Sequence, residues 1–326
     1  MTEVCTVTGG GGFIGAHLVK YLVKKGNKVR VIDNMARGSE SRFSDVAEDV
    51  ELFTADVRDR EAVGKAIKGS DVVYHLAAIN GTENFYREPE LVLDVGLRGA
   101  LAVVEACRDV GVTNLVVASS AEVYQTPPKV PTNEDVALML PNSLNPRYSY
   151  GGSKIVSELI AFNYAQEHFE KVQCFRPHNV YGPNMGWKHV VPQFLTRAIE
   201  ARETGNSTFE IQSDGSETRA FAFVDDVVKG IVLMRERGEH RQVYHIGSEE
   251  EVTIKELVKL TGDTVGFPLD IVSKDAFEGG TPRRCPDITK MRALGYDPHV
   301  DLKSGIAKTA EWYEAHRDKM PSNALM

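Results

Sequence analysis

Thr8-Gly9-Gly10-Gly11-Gly12-Phe13-Ile14-Gly15 is the stretch that decides the fold. It follows a short β-branched run, residues 4–7, that reads as a buried strand. It opens an apolar pattern over residues 13–25 that reads as a helix closing at Gly26. Glycines at Gly9, Gly12 and Gly15 leave backbone N–H groups bare at the head of that helix, where the dipole favours an anion. A second strand, residues 29–32, ends at Asp33, and an acidic side chain there can accept hydrogen bonds from ribose hydroxyls. Strand, glycine turn, helix and acidic strand end together imply a dinucleotide. The same Asp33 would repel a 2′-phosphate, which favours NAD over NADP, although Arg37 nearby works against that preference. The expected contacts in this half of the cradle are Gly9, Gly12, Phe13, Ile14, Gly15, Asp33 and Asn34. Asp56-Val57, after the third strand, is placed at the adenine, the alternative for Asp56 being a solvated loop aspartate.

Outward from the cradle the rhythm continues. Strands are predicted at 51–54, 71–76, 114–118 and 172–176, with helices at 60–68 and 90–110. Another helix carries Tyr150 and Lys154 and runs to about residue 167. Near-continuous apolar strands alternating with helices imply a doubly wound parallel sheet of the Rossmann type. Residues 125–146 are proline-rich and aperiodic, a loop expected to frame the active site. From Pro177 the text changes, with Gly, Pro, Asn and aromatic residues clustering through Trp187. We therefore expect residues 1–176 to form the dinucleotide-binding domain, with a later segment at about 220–248 returning to it. Residues 177–326 should form a smaller, mainly substrate-binding region.

Tyr150 and Lys154 are four residues apart, so a phenol and an ammonium share one helix face. A nearby ammonium favours the phenolate, which predicts a Tyr150 acidity well below the ordinary phenol value of about 10. A redox cofactor beside such a proton acceptor suits the oxidation of an alcohol. Tyr148 is a decoy, since only Tyr150 has the spacing to Lys154.

Composition narrows the setting. The 326 residues carry 38 basic and 46 acidic side chains, a net charge of −8, which argues against sequence-independent nucleic-acid binding. No apolar run approaches the roughly 20 residues of a membrane span, and the N-terminal stretch has neither a basic nor an apolar signal region. A cytoplasmic protein is the expectation. Cys5, Cys107, Cys174 and Cys285 are far apart in sequence and read as reduced, buried thiols; no zinc spacing occurs, so no metal is predicted. His75 and His245 lie in apolar strands and read as hydrogen-bonded core histidines.

The ordered set of Gly9/Gly12/Gly15, Ser120 and Tyr150/Lys154 resembles the extended short-chain dehydrogenase/reductase family, in particular its nucleotide-sugar epimerases and dehydratases. His75-Leu76-Ala77-Ala78, Arg176-x-x-Asn179-Val180-Tyr181-Gly182-Pro183 and Thr218-Arg219-x-Phe221-x-Phe223-Val224-Asp225-Asp226 add to the likeness. So do Ile246-Gly247 and Arg283-Arg284-x-x-Asp287, and the whole covers nearly the full chain. The resemblance implies that Tyr150 takes the proton of a sugar 4-hydroxyl while hydride passes to NAD. Lys154 would hold the nicotinamide ribose, Ser120 would donate to the 4-oxygen, and Leu76, Ala77 and Ala78 would line the cofactor floor. Asn179 would bind the sugar-phosphate, and Arg219 with Arg283 or Arg284 the diphosphate, the alternative for Arg219 being a surface arginine. The implied partner is a nucleotide-diphosphate sugar, and the implied assembly a homodimer built on helix 90–110 and the helix after Tyr150. The family usually has an asparagine where this chain has Gly96, which predicts altered support beside the cofactor.

The product depends on the residues after Ser120. Members resembling 4,6-dehydratases carry an Asp-Glu pair there; here the pair is Ala121-Glu122, without the acid. Members resembling UDP-xylose synthase, which decarboxylate, also have the glutamate. The second half is most similar to the GDP-mannose 3,5-epimerases, in Arg176 to Pro183, Trp187-Lys188, Asp214-Gly215-x-x-Thr218-Arg219 and Ile246-Gly247-Ser248. That branch uses a cysteine at Glu122 and a lysine after the Trp-Lys pair, for which Lys188 and His189 are the substitutes here. Both also fit a loop facing solvent or phosphate. Glu122 is then either a second base acting at C3 or C5, or a group that orients hydroxyls. The expected activity is a nucleotide-sugar epimerase, with a dehydratase or decarboxylase as alternative. A non-catalytic dinucleotide-binding regulator is the alternative of another class.

Overall fold

The computed structural model describes residues 2–164, 166–275 and 281–321. Seven parallel strands form the main sheet: β1 (Val4–Thr8), β2 (Lys28–Asp33), β3 (Val50–Thr54), β4 (Val72–His75), β5 (Asn114–Ala118), β6 (Lys171–Pro177) and β7 (Gln242–Ile246). Their order across the sheet is β7-β6-β5-β4-β1-β2-β3. The direction of winding therefore reverses between β1 and β4, which opens a crevice at the carboxyl ends of those strands. Thr8 and His75 are register partners there, and Thr8 Oγ1 lies 2.8 Å from His75 Nδ1 in the core.

Both faces of the sheet are covered, which is why its central strands are mostly apolar. Helices Phe13–Lys24 and Val224–Arg237 bury Leu18, Leu22, Val227 and Ile231 on one face. Helices Arg60–Ile67, Pro89–Val110 and Ser149–Asn163 cover the other with Val63, Ile67, Val103 and Ala161. The last of these ends four residues before the predicted limit of about 167, because Tyr164 turns extended (φ −87°, ψ 127°) and its hydroxyl reaches Glu105 Oε1 at 2.9 Å.

Helices Pro89–Val110 and Ser149–Asn163 lie close together, and Gly96 is the reason. A Cβ at Gly96 would stand 2.7 Å from the Cβ and Oγ of Ser153, and Ser157 Oγ donates to the Gly96 carbonyl at 3.2 Å. The asparagine usual in the resembled family would have no room here, so the helix bearing Tyr150 and Lys154 is supported by close backbone approach instead.

After β6 the chain builds a second core. Helices Val190–Thr204, Ile254–Val265 and Leu302–Ala315 enclose Leu195, Phe209, Leu257, Ile306 and Tyr313. A three-stranded sheet, with Thr218–Ala220 between Glu251–Thr253 and Arg283–Arg284, faces the cleft from this side. Between these pieces helix Val224–Arg237 and β7 return to the main sheet, with β7 pairing β6.

Gly96→Asn is expected to lower stability by about 1–3 kcal/mol, the usual cost of overpacking. Thermal unfolding of the two proteins measures it, and an unchanged midpoint would show that the helices separate freely.

Candidate active site

The glycine turn is shaped by contacts that only hydrogen permits. Gly9 has φ +71° and a Cβ there would meet the Ala77 nitrogen at 2.7 Å; at Gly15 it would stand 2.1 Å from the Gly9 carbonyl oxygen. Gly12 N–H donates to that oxygen at 3.0 Å, closing the turn at the head of helix Phe13–Lys24. Asp33 is held by two backbone donors, Gly11 N–H to Oδ2 and Met35 N–H to Oδ1, each at 2.9 Å. Each carboxylate oxygen keeps a lone pair for a ribose hydroxyl. The cleft beyond it is about 470 Å³, and every residue expected to contact the cofactor lines it. At its β2–β3 end Asn34 donates to Asp56 at 3.2 Å, and hydrogen bonds from Arg58 hold Asp56 down at about 2. Leu76, Ala77 and Ala78 form the wall after β4.

At the other end, the end of β5 delivers Ser119 and Ser120 to the cleft, and helix Ser149–Asn163 presents Tyr150 and Lys154 to them. Tyr150 is stacked on Phe85, with ring centroids 5.1 Å apart and planes 10° apart. Lys154 Nζ donates to the Ala118 carbonyl at 2.7 Å and stands 5.7 Å from the Tyr150 ring centroid. The ammonium therefore lies over the ring, not at the phenol oxygen, and the predicted depression of Tyr150 by Lys154 does not occur. Burial pushes the phenol up to about 12, against the hydrogen bond of Ser120 and the charge of Arg37, while Glu122 adds to the rise. Burial brings Lys154 down to about 8, with Cys174 and Glu158 opposing. Desolvation is the largest influence at both groups.

Glu122 lines the cleft beside this pair with both carboxylate oxygens engaged: Arg284 donates to Oε1 at 2.7 Å and Arg147 to Oε2 at 3.2 Å. Burial would raise its pKa, but the two guanidiniums outweigh burial and hold it below the ordinary carboxylate value. Arg219 and Arg284 are register partners in the small sheet. Burial, and after it the charge of Arg284, bring Arg219 down to about 10.

The other candidates separate. Asn179 (φ +37°) lines the cleft, with Nδ2 donating to the Ala220 carbonyl at 2.9 Å. Arg283 points away: alternate residues of a strand face opposite sides, and its guanidinium pairs with Glu251 at 2.5 Å on the half-exposed surface. Lys188 also points outward, to Glu83 at 2.8 Å, while its neighbour His189 lines the cleft. Sequence reasoning did not find Arg147 or Phe85, whose roles depend on tertiary approach, nor the short helix Thr82–Arg87 that carries Phe85. His75 and His245 are partnered, His75 Nδ1 by the Thr8 hydroxyl at 2.8 Å and His245 Nε2 by the Tyr124 hydroxyl at 2.6 Å. All four cysteines are buried and free, and no metal-ligand cluster occurs among the described residues. No helix among them is long and apolar enough to cross a membrane.

Residues 5–247 match the model of the NAD dependent epimerase/dehydratase family. The chain belongs to this family. Its relatives divide by activity at similar distance. A UDP-N-acetyl-alpha-D-glucosaminuronate decarboxylase of Bacillus cytotoxicus is 28% identical, over 96% of this chain and 98% of that protein. A putative UDP-glucose 4-epimerase of Methanocaldococcus jannaschii is 30% identical, over 94% and 97%. The crystal structure of a dTDP-glucose 4,6-dehydratase from Streptomyces venezuelae with NAD bound superposes with a TM-score of 0.86. It is 28% identical, covering 96% of this chain and 98% of that one. NAD is the cofactor of the family and of this chain, and the glycine turn and Asp33 fit it.

Because Arg284 faces the cleft and Arg283 does not, Arg284→Ala is expected to weaken binding of a nucleoside diphosphate about 10- to 100-fold, the worth of charge-assisted hydrogen bonds. Arg283→Ala should leave it within about twofold, as for an exposed ion pair. Calorimetric titration with UDP or dTDP decides; equal losses would contradict the assignment.

Proposed function

We propose that this chain is a nucleotide-sugar 4-epimerase that works through a transient 4-keto sugar. The observation that carries the reading is the catalytic end of the cleft. Tyr150 and Ser120 stand together over the cofactor site, and the one further ionisable group close to Tyr150 on the strand-end turn, Glu122, has both oxygens occupied. A carboxylate held by two guanidiniums and acidified by them is a weak base for a carbon-bound proton. It is well placed to fix Arg284 and Arg147 against the substrate. With Ala121 where an acid would protonate a departing 6-hydroxyl, elimination has no donor at that position. What remains is oxidation, rotation of the ketosugar and reduction on its other face.

In this mechanism Tyr150 accepts the 4-hydroxyl proton and returns it, and Ser120 donates to the 4-oxygen. Lys154 orders the strand end and the cofactor ribose, and Arg219, Arg284 and Asn179 hold the diphosphate. When bound, NAD supplies the hydride acceptor and a cationic ring that favours the phenolate beside it. Since burial, the largest influence on it, leaves the phenol at about 12, Tyr150 is protonated until cofactor and substrate are in place.

A decarboxylase is the second reading. Arg147 and Arg284 would also suit a substrate carboxylate at C6, and decarboxylases stand among the relatives. We also infer a homodimer, because Leu93, Val156 and Leu159 are exposed on the paired helices Pro89–Val110 and Ser149–Asn163.

Incubation with a panel of UDP- and dTDP-sugars, uronic acids included, in D₂O is expected to give a product inverted at C4 without carbon-bound deuterium. Deuterium at C3 or C5 would make Glu122 a base after all, and release of CO₂ would establish the second reading. Tyr150→Phe should reduce turnover by about 10²–10⁴-fold. Light scattering should give twice the mass of the 36.0 kDa chain; a single mass would remove the dimer.

A further inference from the structure

Three successive turns of helix Ser149–Asn163 hold three successive residues at the end of β5. Tyr150 meets Ser120, Lys154 Nζ meets the Ala118 carbonyl at 2.7 Å, and Glu158 accepts a hydrogen bond from the Ser119 hydroxyl between them. Glu158 is 5% exposed, and an isolated carboxylate at such a depth would be expelled or neutralised. It is retained by Arg176 of β6, which is equally buried and donates from Nε at 2.8 Å and from Nη2 at 2.6 Å. The remaining guanidinium nitrogen of Arg176 donates to the Tyr124 hydroxyl and, at 3.2 Å, to the Glu134 carbonyl. Tyr124 in turn bonds His245, whose Nδ1 lies 3.2 Å from the Asp287 carbonyl oxygen. The chain of bonds thus runs from the catalytic strand end, through a buried ion pair, to the segment that follows Arg284.

We propose that Glu158 is a positioning residue for the oxidation step: clamped by Arg176, it fixes Ser119 and with it the adjoining Ser120, and its charge retains the buried ammonium of Lys154. The groups facing Lys154 are Tyr150 and Glu158 from its own helix, Cys174 from β6 and His75 from β4. Cys174 and His75 are fully buried and uncharged: burial raises the thiol well above its ordinary value and lowers the imidazole to about 3. Glu158 is therefore the standing negative charge on Lys154. An ammonium is lost as pH rises through its pKa, so removing that charge makes Lys154 lose its proton at lower pH.

The inference rests on the oxidation at C4 that both readings of the function share. Its test uses the full-length, NAD-loaded protein and a nucleotide sugar that the parent turns over, together with NMR titration of the Lys154 side chain in the sugar-free protein. Glu158→Gln keeps the shape and an acceptor for Ser119 but removes the charge. It is expected to lower kcat about 10- to 100-fold, as for a slightly misplaced reacting group, with KM within about twofold. The alkaline limb of kcat and the Lys154 titration should both move to lower pH. Ser119→Ala, which leaves the ion pair intact, should lower kcat and leave the limb in place. A folded Glu158→Gln protein whose limb and Lys154 titration stay with the parent's would overturn the proposal, because a purely structural role moves only stability. Parent-like kcat in Ser119→Ala would overturn it as well, and decides the matter should Glu158→Gln fail to fold. If the parent turns over no sugar at all, the proposed function fails, and the sugar-free titration still judges the role of Glu158.

Discussion

The grip of helix Ser149–Asn163 on the last residues of β5 is the constraint on which the site depends. Ala118 is the last rung of β5, paired with Phe175, and Ser119 and Ser120 follow it out of the sheet; the Ala118 carbonyl and the two hydroxyls need partners because they are buried. Lys154, Glu158 and Tyr150 supply them at intervals of one helical turn. The grip works only at short range, and Gly96 provides that range by letting the neighbouring helix approach Ser153. The glycine turn at Gly9 and Gly15 meets the same need on the opposite side of the cleft, where the wall at Ala77 comes within 2.7 Å of a would-be Cβ.

Burial sets the acid–base character of the site more than pairing does. Tyr150 rises to about 12 and Lys154 falls to about 8, each driven first by loss of water. Glu122 is the exception: two guanidiniums outweigh a comparable burial and keep it ionised. The site thus holds a neutral phenol, a marginal ammonium and a firmly charged carboxylate, and charge brought by ligands can shift the first two.

The parts legible in the sequence are those fixed by local spacing. The glycine turn, Asp33 at a strand end and the Tyr150/Lys154 pair follow from periods of two and of 3.6 residues, and the parallel sheet follows from apolar runs between helices. The parts that were not legible depend on which way a side chain points after folding. Spacing put Lys154 beside Tyr150 but could not show that its Nζ turns to the Ala118 carbonyl. Arg283 and Arg284 are adjacent in sequence and opposite in space, and the same holds for Lys188 and His189. Arg147 and Arg284 reach Glu122 across 25 and 162 residues, a convergence that no local pattern records.

The claim that chemistry here begins with reversible oxidation at C4 is tested most directly by single turnover of the NAD-loaded protein with a nucleotide sugar deuterated at C4. Reduced nicotinamide is followed by its absorbance. A transient reduced cofactor, its appearance slowed by the deuterium, is expected before product is released. Turnover with no transient and no isotope effect at C4 would contradict the claim.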